Sequence, residues 1–176
     1  MIEEENETMK LICHENKDMT EFIISKSAAI NSGFITNYIN TCWIKKKSHA
    51  VELNVDSKTL KAIGTYLEHF KDEDCNSKTV HVMDDKDKRG IESQFTSWEV
   101  KFIRDYELDF VVDLINAAED HAIPSLHNLA CARIAEFMML NSDEDIEKEF
   151  KITCNINEKD YEDVMKSHNQ NLNQKV

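Results

Sequence analysis

Three glycines and one proline in 176 residues leave this chain few places at which to turn sharply. Glycine supplies the positive-φ corners of tight turns and proline the rigid ones. Their scarcity predicts long regular elements and argues against a turn-rich β-sandwich or barrel. The length suits one domain of ordinary size, or one domain with a helical extension. Hydrophobic residues make up 41% of the chain, enough for a core, while the 31% that are charged predict a heavily solvated exterior.

The charges are unbalanced, 21 basic against 34 acidic, for a net charge of −13. Most of such a surface repels a phosphate backbone, so general nucleic-acid binding is not expected, and partners with basic patches are favoured. The five cysteines (Cys13, Cys42, Cys75, Cys131 and Cys154) are scattered without a CxxC pair. An odd, dispersed set fits reduced thiols better than a disulfide framework. MIEEENETMK lacks the basic and apolar regions of a signal peptide. No apolar run reaches the ~18 residues of a membrane span. The expectation is a soluble protein of the cytoplasm and nucleus, with no membrane partner.

Periodicity then places the elements. Residues 1–8 are acidic and read as disordered. Met9–Cys13 and Glu21–Ile24 read as a two-stranded hairpin, and Ser27–Ile39 as one helix or two short ones with Gly33 as a joint. Lys45-Lys46-Lys47 reads as a solvated loop. The alternation of Val51, Leu53 and Val55 predicts a half-buried strand, and Asp56 or Ser57 can cap the helix carrying Leu60, Ile63, Leu67 and Phe70. Lys71–Thr96 reads as a long flexible loop, with Val80-His81-Val82 a possible brief strand. The rest is helical. Trp98 and Phe102 share one helix, and Val111, Leu114, Ile115 and Ala118 share the next. Pro124 opens a third with Leu126, Leu129, Ala130, Ile134, Phe137 and Met138 turned inward. Ser142-Asp143-Glu144-Asp145 starts a fourth in capping-box fashion, and Asn157 caps a last one holding Tyr161, Val164, Met165, His168 and Leu172.

No arrangement here carries chemistry. Gly33, Gly64 and Gly90 are isolated, so no phosphate-binding loop can be drawn, and there is neither GxSxG nor HExxH. His121 and His127 are six apart, on different helix faces with Pro124 between them, which makes a poor metal site. Cys131 sits among apolar residues as a small hydrophobe. The carboxylates of Asp143, Glu144 and Asp145 suit the positive end of a helix dipole. The expectation is a non-enzymatic protein without metal or cofactor.

Several segments together resemble the Skp adaptors of Skp–cullin–F-box ubiquitin ligases. MKLICHENKDMTEFIISKSAAI is similar to the family's opening hairpin and first helix, and VELNVDSKTLKAIGTYLEHF to its later strand and following helix. SWEVKFI resembles its Trp-containing motif after an acidic loop. The most specific part is AAxxxxIxxLxxLxCxxIA, beginning at Ala117, followed by SDEDIEKEFKI. The resemblance implies an α+β fold: a POZ/BTB-like domain, a small sheet flanked by helices, with a C-terminal helical F-box-binding extension. It implies a POZ domain over 9–123 with a flexible acidic loop at 71–97, an extension over 124–172 and a tail at 173–176. It also implies an adaptor that bridges F-box substrate receptors to a cullin scaffold and so supports ubiquitin-dependent degradation. On matching positions the F-box-facing residues are Ile123, Leu126, Leu129, Cys131, Ile134, Phe137, Phe150 and Ile152, about half of which would pack the extension against the domain. The cullin-facing pair is Glu119 and Asp120. The chain departs from the family at this pair, where the pattern has Asn-Tyr. It has Asp143 where a proline often stands, and KSHNQNLN lacks the near-terminal Trp, with His168 and Leu172 in its region. The alternatives are a scaffold that binds F-box-like proteins outside a ligase, such as in a kinetochore, and an elongin C-like POZ subunit. The chain beyond Met139 argues against the elongin C-like subunit.

Overall fold

A computed structural model of the chain describes residues 8–15, 18–43, 50–77 and 90–152. The Lys45–Lys47 run, the Val80–Val82 segment, the Asn157 helix and both termini lie outside the described residues. Two compact units are present, Met1–Leu140 and Asn141–Val176. The first includes the helix that begins at Pro124.

The first unit is a mixed α+β fold, a three-stranded sheet flanked by helices. Strands β1 (Thr8–Glu15) and β2 (Asp18–Ser25) form the antiparallel hairpin, and β3 (Ala50–Glu52) pairs parallel to β1, giving the order β2-β1-β3. The register sets Met9 opposite Ile24, Leu11 opposite Phe22, and Leu11 beside Val51. Because side chains alternate across a strand, this puts the apolar residues on one face. Met9, Leu11, Cys13, Ile24 and Val51 are buried there. The opposite face is solvated and carries the Lys10–Glu21 ion pair at 2.7 Å. The third strand is shorter than its alternation predicts. Leu53 N–H still donates to the Ile12 carbonyl, but the chain bends at Asn54 to bring Asp56 into place as a helix cap.

Ser27–Asn31 forms a 3-10 turn and Gly33–Tyr38 the short helix α1, so the predicted break is real. It falls at Ser32, whose hydroxyl accepts from Ile35 N–H, and Gly33 is already helical. Helix α2 (Ser57–His69) is capped by the Asp56 carboxylate, which accepts from Thr59 N–H at 2.6 Å. It lays Leu60, Ile63 and Leu67 on the sheet. Gly64 makes the approach possible, since a Cβ there would run into the Phe22 ring.

The segment read as one long loop is ordered at both ends. Short 3-10 turns at Cys75–Ser77 and Gly90–Ser93 bury Cys75 and Ile91. The first is fastened by Asn31, a buried residue that donates to the carbonyls of Phe70 and Glu73 and accepts from Cys75 N–H. A long charged stretch hides such anchors, because each end contributes one apolar side chain without periodicity.

Helices α3 (Ser97–Arg104), α4 (Leu108–Asp120) and α5 (Pro124–Leu140) complete the unit, and α5 packs chiefly on α4. Thr96 and Glu99 make a full capping box at the start of α3. The Thr-x-x-Glu spacing along the chain is the local signal for it. Tyr66, Phe70, Trp98 and Phe102 form an aromatic core between α2 and α3, with ring centroids 5.0–6.1 Å apart. The second unit contains helix α6 (Asp143–Phe150). Ser142 Oγ accepts from Asp145 N–H and donates to the Asp145 carboxylate, the capping arrangement its sequence implies. No residue of α6 is fully buried.

Candidate interaction surfaces

The F-box-facing candidates divide by burial. Ile123, Leu126 and Leu129 have no exposed area and belong to the core of the first unit. They hold α5 on α4, and a partner could reach them only if α5 moved. Cys131, Ile134 and Phe137 are half-buried, with Ile134 packed against the edge of the core. In the second unit Phe150 is half-buried and Ile152 is 54% exposed.

Helix α5 does not sort its residues by polarity. Its polar residues Ser125 and Glu136 are buried, while Met138, Met139 and Leu140 are exposed. Cys131, Ile134, Ala135 and Met138 recur at i, i+3, i+4 and i+7, so they line one side of the helix as a partly exposed stripe. Met138 thus faces outward, against expectation.

The reason for the inversion is Glu136. Its carboxylate accepts from Ile91 N–H at 3.2 Å, Arg104 Nη2 at 2.9 Å and Arg133 Nη1 at 3.1 Å. Three donors make its burial tolerable, because an ionised carboxylate leaves water only where charge and hydrogen bonds replace it. Arg104 also binds Glu92 at 2.5 Å, which holds the Glu92 carboxyl below its usual range and raises the guanidinium. Gly90 completes the arrangement. Its φ of +63° is a left-handed corner, and a Cβ there would meet the Glu136 carboxylate. Of these contacts, only the Arg133–Glu136 pair, at i and i+3, is visible in the sequence.

Ser125, at the other end of α5, joins a second buried polar group. Its hydroxyl lies 3.0 Å from Cys75 Sγ, and its backbone N–H donates to Asn76. Tyr66 shares this region and donates to Glu99 Oε1 at 3.4 Å. Burial raises the Tyr66 phenol far above its ordinary value, partly offset by the Ser125 hydroxyl, so the phenol stays neutral.

The pair expected to face a cullin is split. Glu119 and Asp120 are both exposed, but adjacent helical residues point about 100° apart. Asp120 lines a concavity of about 270 Å³ between α2 and α4, with Asn54, Val55, Asp56, Thr59, Asp113, Asn116 and Ala117. Glu119 acts on α5 instead. Burial raises the Cys131 thiol above its usual value and the Glu119 carboxylate raises it further, which disfavours a reactive thiolate. His127 sits one turn before Cys131, with its ring nitrogens 3.8 and 3.9 Å from the sulfur.

His121 is buried and serves the turn between α4 and α5. Its Nδ1 lies 2.7 Å from the Ala117 carbonyl, which can only accept, so Nδ1 carries the proton. Phe34 meets the ring edge-on at 5.3 Å, and Ser32 Oγ donates to the His121 carbonyl. A second concavity, of about 360 Å³, is lined by Glu92, Phe95, Ser97, Val100, Lys101, Arg104 and Asp105, a mixture of opposed charges. Among the described residues no three or more His, Cys, Asp or Glu side chains are grouped to hold a metal ion, and no helix is long and apolar enough to cross a membrane. No protein-family model and no curated protein matches the chain.

Proposed function

We propose that this chain is a non-catalytic adaptor of the Skp type, bridging an F-box substrate receptor to a cullin scaffold in the cytoplasm and nucleus. The observation that carries the proposal is the partly exposed apolar stripe of α5, Cys131, Ile134, Ala135 and Met138, on a helix whose other side already forms core. Such a surface suits the apolar face of a partner helix laid along it. Each methionine- or leucine-sized side chain taken fully out of water contributes about 1.5–3 kcal/mol. Two or three anchors of this kind can dominate an interface, while surrounding contacts exclude water. The mixed α+β fold supports the reading at a coarser level, since a small sheet flanked by helices is the architecture a POZ/BTB-like domain requires.

One observation favours a second reading, a scaffold that holds F-box-like proteins outside a ligase. Glu119 and Asp120 present two exposed carboxylates where the Skp pattern has Asn-Tyr. Losing an aromatic anchor and gaining negative charge weakens a surface evolved for the usual cullin and suits a partner with basic residues there.

Affinity purification of the tagged full chain from its native cells separates the readings. The ligase adaptor predicts F-box proteins together with a cullin. F-box proteins without any cullin would overturn it in favour of the scaffold, and recovery of neither would overturn both.

A further inference from the structure

We draw no further inference here: the strongest candidate, the concavity between α2 and α4 lined by Asp56, Asp113, Asn116 and Asp120, is a cluster of exposed carboxylates to which no second observation assigns a ligand.

Discussion

Replacing Glu136 with alanine tests whether one buried carboxylate fastens the Gly90–Ser93 turn to α5. The side chain is 4% exposed and accepts three hydrogen bonds. Its removal strands the Ile91 amide, a buried donor, at a cost of about 1–3 kcal/mol. The arginines matter less. Arg104 is 40% exposed and keeps Glu92, and Arg133 is 22% exposed. Water replaces much of each lost pair, leaving about 0.5–1 kcal/mol apiece. The sum is about 2–5 kcal/mol. For a chain of this size the midpoint corresponds to a fall in Tm of roughly 7–14 °C. Glu136→Gln separates charge from hydrogen bonding, because its amide oxygen still accepts from Ile91. It is expected to cost about half as much, on the same reasoning. Urea and thermal unfolding, followed by circular dichroism and by tryptophan fluorescence with Trp98 as a reporter in the first unit, measure both variants. A Glu136→Ala protein within about 0.5 kcal/mol of the parent, the ordinary range of a surface change, would falsify the account. So would equal losses in the two variants.

The neighbouring positions yield further expectations. Gly90→Ala should cost about 1–2 kcal/mol from its left-handed backbone alone, and more from the clash with Glu136. Combined with Glu136→Ala, only the backbone part should remain, and a double-mutant cycle showing simple additivity would deny the contact. Met138→Asp, on a side chain 48% exposed, should leave unfolding unchanged while weakening capture of an F-box segment in a binding titration. Unchanged binding would remove the α5 stripe from the interface. Leu129→Asp should instead unfold the first unit, because this fully buried site would lose at least the roughly 2–5 kcal/mol of a Leu→Ala change. A folded, dichroism-normal Leu129→Asp protein would contradict its place in the core. Cys131 should alkylate with iodoacetamide several-fold more slowly than a free thiol at pH 8, the rate rising as pH climbs toward its raised pKa. Glu119→Gln should speed the reaction, and mass spectrometry reads both.

Wherever local pattern and tertiary demand agree, the elements were legible in advance. The short apolar run Met9–Cys13 and the capping residues offered at Asp56 or Ser57 locate a strand and a helix start, since each depends on neighbours a few residues away. The break near Gly33 was legible for the same reason. The α5 surface was legible as an apolar stretch but not as an arrangement. The helical spacing turns both Leu129 and Met138 inward, and the structure buries Leu129 but leaves Met138 48% exposed.

What the sequence determined by itself was the kind of element, its start, and the absence of a recognisable catalytic motif, all functions of spacing along the chain. The tertiary structure alone decided which face of α5 is core and that Glu136 lies inside. These outcomes turn on donors from Ile91 and Arg104, 45 and 32 residues away from Glu136. Such contacts leave no periodic trace, because a buried charge is stabilised by whichever groups the fold brings to it rather than by its neighbours in sequence.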